Sequence, residues 1–437
     1  MSYQFLVTGD LHLGRRTAPA PEQHQDAEFS VSDTWKAIVD SAIDHQVEAV
    51  LLTGDVVDKD NRFFEAHHSL RSGITRLNQH GIKIYAVAGN HDAKVLPEIA
   101  DSLEELSNFK LLGRGQQWEL ISHQCKDGAV IQLAGWSFEK EQVSENPLHQ
   151  LEQKPETDPA LCLLHADLDA APDSDYAPTT AHDLINSGWP VWLLGHIHKP
   201  EVIRDDQPFV IYPGSPHALH AKETGNHGPY LLTLDVTGTA SARMLPLSPI
   251  RYEQVEVSLD DFPEDADWRA EFLTRLQNAL PGDKYDRLQY QSVDVSCTGN
   301  PEPFHVVTSY FSEVSERVIE GNPPLLIRKF INNTGLPAAD LESLATRPDL
   351  IGILAGLLKE LDSGELSEES EQLLKEADQL KDNVSRHSIF EVIKQGDNQD
   401  DETVPDEKME DTRMLLYNSV NDWLTELRKQ EAEVSIE

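Results

Sequence analysis

Short apolar runs alternating with amphipathic stretches set the rhythm of the first 250 residues. Phe5-Leu6-Val7, Val50-Leu51-Leu52 and Ile84-Tyr85-Ala86-Val87 are rich in branched and aromatic side chains and soon meet a glycine, the pattern of buried strands. Between the first two, Trp35, Ile38, Val39, Ala42 and Ile43 recur with helical spacing. They predict a core-facing helix capped by Ser32 or Asp33. Strand, loop, helix, strand is the α/β signature. Leu161-Cys162-Leu163-Leu164, Val191-Trp192-Leu193-Leu194, Val210-Ile211-Tyr212 and Tyr230-Leu231-Leu232 predict further strands.

The texture changes near residue 250. Val255, Val257 and Leu259 alternate, Trp268, Phe272 and Leu276 share a helical face, and Leu288 to Val295 reads as a strand, so 251–310 is a β-α-β unit. Pro323-Pro324, Pro337 and Pro348 then mark a linker-like zone. Leucine stripes beginning at Leu350, Leu373 and Leu416 predict amphipathic helices, and the polar, acidic segment 395–411 is expected to be a flexible loop. The domain boundaries expected are 1–250, 251–325 and 326–437. No internal repeat is found.

The chain has 437 residues and a formal net charge of −40. Residues 361–411 hold 17 acidic and 5 basic side chains, so most of the negative charge lies elsewhere. Such acidity argues against gripping nucleic acid alone over a broad basic surface. It suits either a solubility surface or an acidic face for a basic partner. No apolar run approaches the roughly 18 residues of a membrane span. The first ten residues read as a buried strand and not as a signal peptide. Three scattered cysteines, Cys125, Cys162 and Cys297, argue against a disulfide framework and against a cysteine-based zinc site, and a reducing cytoplasm is expected.

Five donor-rich motifs follow predicted strands: Gly9-Asp10-Leu11-His12, Gly54-Asp55-Val56-Val57-Asp58, Gly89-Asn90-His91-Asp92, Leu163-Leu164-His165-Ala166-Asp167 and Gly195-His196-Ile197-His198. Open α/β sheets bind ligands at the carboxyl ends of their strands, so these motifs should converge. Mixed carboxylate and imidazole suit borderline cations such as Mn²⁺, Fe²⁺ or Zn²⁺, whereas Mg²⁺ and Ca²⁺ favour oxygen. More donors cluster than the four or so that one tetrahedral ion takes, which points to two metals.

In order and spacing these motifs resemble the calcineurin-like metallophosphoesterase superfamily, over about residues 1–235. GDLHLG, GDVVD, GNHD, LLH, GHIHKP and Tyr212-Pro213-Gly214-Ser215-Pro216 look most like its SbcD/YhaO-like branch of DNA-repair nuclease subunits. The resemblance implies a four-layer α/β/β/α sandwich, a small α+β capping domain and C-terminal helices. It places Asp10, His12 and His198 on one metal, Asn90, His165 and His196 on the other, and Asp55 between them, with Mn²⁺ as the expected ion. His91 would assist the leaving oxygen and Asp92 would orient His91. Arg15, Arg16 and His217 would contact substrate. The implied activity is metal-dependent hydrolysis of DNA phosphodiesters by a homodimer whose C-terminal helices dock on a coiled-coil SbcC-like ATPase. A small phosphoester substrate, or a mainly non-catalytic interaction subunit, are the alternatives.

Overall fold

A computed structural model describes residues 2–15, 30–58, 63–156, 159–171, 174–262, 267–312, 317–335 and 338–385, with 412–413, 415–421, 423–424 and 427–428. The acidic segment 395–411, expected to be a loop, lies outside the described residues. The chain divides into two compact units. One comprises Met1–Glu253, Gly282–Val293 and Ile319–Leu326, the other Gln254–Pro281, Asp294–Val318 and Ile327–Glu437.

The first unit runs β1 (Ser2–Thr8), α1 (Val31–Asp44), β2 (Ala49–Leu52), α2 (Phe63–Gln79), β3 (Lys83–Ala86), α3 (Val95–Ser102) and β4 (Phe109–Leu111). It continues through β5 (Glu119–Gln124), β6 (Val130–Trp136), β7 (Ala160–His165), α4 (Ala181–Ser187), β8 (Val191–Gly195), β9 (Glu201–Arg204), β10 (Phe209–Tyr212), β11 (Tyr230–Asp235) and β12 (Ala240–Met244). The strands form two six-stranded sheets, ordered β12-β11-β1-β2-β3-β4 and β5-β6-β7-β8-β10-β9. Strands β1 to β4 are parallel, as are β6, β7, β8 and β10; β11, β12, β5 and β9 pair antiparallel outside them.

The alternation of side chains along each strand sorts the apolar residues into three cores. Leu6, Val50, Leu52, Ile84 and Ala86 turn to one face of the first sheet and meet Trp35, Ile38 and Val39 of α1, Leu70 and Ile74 of α2, and Ile99 of α3. Phe5, Val7, Leu51, Tyr85 and Val87 turn the other way and meet Leu133, Leu161, Leu163, Leu193 and Ile211 of the second sheet. Cys162, Leu164, Trp192, Leu194 and Val210 face outward against Leu184 of α4, Leu148 and Trp189. Helix, sheet, sheet and helix are therefore stacked in the four layers expected.

Helix α1 begins earlier than predicted. Ser30, and not Ser32 or Asp33, is its N-cap, its side chain accepting from the Asp33 amide (3.1 Å). Val31 is buried and starts the core-facing stripe, so the cap moves back ahead of it.

The later chain carries β13 (Ile250–Ser258), α5 (Trp268–Ala279), β14 (Tyr290–Gly299), α6 (Glu302–Ser309), β15 (Val318–Ile319), β16 (Leu325–Thr334), α7 (Ala338–Ala345), α8 (Leu350–Ser363) and α9 (Glu368–Ser385). The predicted β-α-β unit is β13, α5 and β14. These strands form a sheet ordered β13-β14-β16-β15. The proline-marked zone is more structured than a linker, because Pro323 and Pro324 stand just before β16, where no ladder donor is lost. Leu341, Ile351, Leu354, Leu358, Val420 and Leu424 make a local core, while Leu350, Ile353, Leu373 and Leu380 are exposed. Among the described residues no helix is long and apolar enough to cross a membrane.

Candidate metal centre

The loops leaving β1, β2 and β3 are joined to one another through the main chain. The amides of Asp10, His12 and Leu13 donate to the carbonyls of Gly54, Asp55 and Val56 (each 3.0 Å), and the Asp58 amide returns to Leu13 (3.0 Å). Asp92 ties in the third loop: its Oδ2 accepts from the Val56 amide (2.7 Å) and its Oδ1 from the Gly89 amide (2.7 Å). Two glycines allow this closeness. Gly54 sits at φ +101°, and a Cβ at Gly89 would collide with the Asp55 carboxylate and approach His165 to 2.7 Å. Asp10, His12, Asp55 and His196 all have positive φ, at 47°, 48°, 49° and 101°. Such strain in non-glycine residues gathers at functional sites.

This framework aims donors at one place. Nitrogen and oxygen atoms of Asp10, His12 and His198 lie within 4.8 Å of one another, as do those of Asp10, Asp55 and His165. His165 Nδ1 contacts the Thr53 carbonyl (3.0 Å), which fixes it as the donor and leaves a lone pair on Nε2. That Nε2 faces Asn90 Oδ1 (3.0 Å) and Asp55 Oδ2 (3.4 Å). His198 Nδ1 likewise faces the Glu223 carboxylate (2.7 Å), and its Nε2 meets His12 Nε2 at 3.2 Å. Converging lone pairs need a proton or a cation between them.

The charges say the same. Burial pushes Asp10 up to about 6, against the pull of His165 and His198. Burial also opposes ionisation of Asp55, yet His165, His12 and His91 hold it well below the usual carboxylate range. Burial works against a charge on His165, but Asp55 and Asp10 raise it to about 9. Positive charge among these donors is therefore favoured, and a metal ion held there would supply it.

The calcineurin-like phosphoesterase family model matches residues 3–200, the segment that builds all of this centre up to His198. Over those residues the chain is similar to the calcineurin-like phosphoesterases. Metallophosphoesterase YhaO of Bacillus subtilis is 32% identical over 235 residues, covering 52% of this chain and 56% of YhaO. The DNA double-strand break repair protein Mre11 of Methanosarcina mazei is 25% identical over 267 residues, covering 60% and 41%. Mre11 of Sulfolobus acidocaldarius is 29% identical over 225 residues, covering 50% and 56%. The chain spans about half the length of the curated relatives it matches.

Phosphoesterases of this family use divalent metals, and the centre fits such ions in donor type and in its facing lone pairs. Of the expected ligands, Asp10, His12, Asp55, Asn90, His165 and His198 are brought together. The His196 ring lies edge-on to His165 (centroids 5.4 Å apart) and against Tyr176 (4.9 Å), and its amide faces both Asp10 carboxylate oxygens (3.1 and 3.2 Å). His91 is half-buried beside His12, with its amide on Asp55 Oδ1 (2.9 Å).

Two expectations for the phosphoesterase site come out differently. Asp92 does not orient His91: its oxygens are taken by backbone amides, and His91 Nδ1 has no hydrogen-bond partner. His217 is fully buried with Nδ1 on Thr34 Oγ1 (2.8 Å), so it packs α1 and is not presented to a substrate. Arg15 stays on the first loop, its amide donating to the His12 carbonyl (2.9 Å), whereas Arg16 lies outside the described residues. Glu223 was missed. It holds His198 and also accepts from the Leu219 amide (2.6 Å), but nothing in the local sequence marks it as the partner of a motif 25 residues away.

Proposed function

We propose that this protein is a metal-dependent nuclease hydrolysing DNA phosphodiester bonds, as nuclease subunit of an SbcCD-like repair complex. The observation that carries the proposal is the convergence of buried, facing lone pairs at the ends of parallel strands, in a domain related in sequence to Mre11. Asp10, His12 and His198 would hold one ion, Asn90, His165 and His196 a second, and Asp55 would serve both; Mn²⁺ is the preferred ion. When bound, such ions supply charge neutralisation at phosphate oxygens and lower the pKa of water.

The remaining work falls to the chain. Asp55 fixes the His91 main chain, and the edge-on His12 ring limits rotation of the His91 imidazole. From there His91 donates a proton to the departing oxygen. Glu223 and the Thr53 carbonyl set the tautomers of His198 and His165. The exposed Leu350 and Ile353 of α8 would meet the ATPase coiled coil, and two copies would pair through the phosphoesterase domain.

The −40 charge favours a second reading, a small phosphoester substrate, since a duplex is repelled at low salt. Incubating the full chain in Mn²⁺ with linear duplex, single-stranded DNA and a chromogenic phosphodiester separates the two. Cleavage of DNA is expected. Turnover of the chromogenic ester with intact DNA, even with the ATPase added, would establish the small-substrate reading instead.

A further inference from the structure

At the other end of β2 from Asp55, three donors of different chemistry meet. Glu48 immediately precedes β2, His123 lies on β5, and Cys125 directly follows that strand. A carboxylate oxygen, a ring nitrogen and Sγ from these residues all lie within 4.8 Å of one another. His123 Nε2 stands 3.9 Å from Glu48 Oε2. His123 is 3% exposed and Cys125 4%, so both are withdrawn from water. Yet His123 Nε2 has no hydrogen-bond partner, while Nδ1 is held by the Tyr85 hydroxyl at 3.1 Å. Phe5 and Tyr85 pack edge-on against the ring (centroids 5.9 and 5.7 Å) and fix its plane. A buried imidazole with one nitrogen lacking a hydrogen-bond partner thus stands beside a carboxylate and a thiol.

The geometry points to a second cation site, in which Glu48, His123 and Cys125 bind one zinc-type divalent ion apart from the phosphoesterase centre. Ligand atoms around a tetrahedral zinc lie roughly 3.3–3.7 Å apart, given bonds of about 2.0–2.3 Å. To reach that spacing the three donors need to close by about 1.5 Å at most. Thiolate with imidazole and carboxylate selects Zn²⁺ over Mn²⁺, Mg²⁺ or Ca²⁺. Tyr85 occupies the place of the outer partner that orients a ligating histidine. Glu48, 15% exposed, leaves a way in from solvent and a fourth position for water.

The ion would act as a clasp. Glu48 belongs to the segment entering the first sheet, and His123 and Cys125 to the edge of the second. Main-chain contacts already gather there: the Lys126 amide donates to Glu48 Oε2 (3.1 Å) and its Nζ to the carbonyls of Gln46 (2.6 Å) and Val47 (3.3 Å). The spacing of the cysteines gave no hint of such a site, because its ligands come from segments 75 residues apart in the chain.

Cobalt tests this without interference, because the phosphoesterase centre offers only nitrogen and oxygen. The full chain saturated with Co²⁺ should show an intense near-ultraviolet thiolate-to-cobalt charge-transfer band. The band should persist in Cys162→Ser, whose thiol is buried in an apolar core, and vanish in Cys125→Ser with the loss of one bound ion per chain. Phosphodiester turnover in Mn²⁺ should stay within about twofold of wild type in Cys125→Ser. A cobalt-saturated wild type lacking the band overturns the assignment, as does a band that survives in Cys125→Ser. Should Cys125→Ser prove insoluble, His123→Ala and Glu48→Gln must each weaken the band; an unaltered band in both overturns the assignment equally.

Discussion

The two six-stranded sheets serve the same centre by different means. Loops from the first sheet carry Asp10, His12, Asp55, Asn90 and His91, and main-chain bonds from one loop to the next hold them. The ends of the second sheet's strands and the loops after them carry His165, His196 and His198, and each is fixed by a separate partner: the Thr53 carbonyl, the Asp10 carboxylate and Glu223. The difference follows from the donors. A carboxylate carries a permanent charge into a buried place and needs a rigid, amide-rich frame. An imidazole is neutral when it ligates, and needs only the right tautomer and ring angle. Damage to the first sheet's loops should therefore harm fold and metal binding together, while damage to the second sheet's outer partners should weaken metal binding more than the fold.

Asp55→Asn should have the largest effect, because this carboxylate faces both His12 and His165 and also anchors the His91 amide. Removing its charge should cut Mn²⁺-dependent turnover of a chromogenic phosphodiester by more than the roughly 100-fold seen when only an outer partner is lost. Elemental analysis after loading with Mn²⁺ should find fewer than two manganese ions per chain. Two tightly held manganese ions in this variant would remove the claim that Asp55 is shared. Next comes Asp92→Ala, which strands the buried amides of Gly89 and Val56. At about 1–3 kcal/mol for each orphaned donor, a loss of about 2–6 kcal/mol is expected in urea unfolding. A variant as stable as wild type would mean that the first sheet's loops are not held as argued. His91→Ala should lower turnover by about 100-fold at unchanged metal content. If turnover persisted, another group must protonate the leaving oxygen.

What the sequence disclosed follows the same division. Strands buried on both faces show as unbroken apolar runs, and parallel strands carry their following loops to one edge, so Asp10, Asp55, Asn90, His165 and His198 could be grouped without coordinates. The supporting contacts were hidden. Asp92 acts through backbone amides, whose partners no side-chain pattern records. His217 stood in a motif that suggested exposure, yet it fills space beneath α1. The strand β16 was obscured because its flanking prolines read as breakers when they only mark its start.

Glu223→Gln is the mildest and most telling of these changes, for it touches only the second sheet's mode of support. Burial would keep the Glu223 carboxyl protonated, yet the hydrogen bond and charge of His198 hold it below the ordinary glutamate range; in turn, against its own burial, His198 is raised by Glu223 and Asp10. The side-chain amide that replaces the carboxylate can still accept from the His198 Nδ1–H, so the tautomer survives while the charge that strengthens Nε2 as a donor is lost. Mn²⁺ affinity should fall by about tenfold, the low end of the roughly 10–100-fold expected for an outer partner. Unfolding stability should fall by about 1–3 kcal/mol, less than in Asp92→Ala, because the amide that keeps the His198 contact turns its nitrogen to the buried Leu219 amide and leaves that single donor without an acceptor. A titration showing wild-type affinity would mean that His198 is oriented by packing alone. A loss of stability comparable to that of Asp92→Ala would erase the distinction between the two sheets.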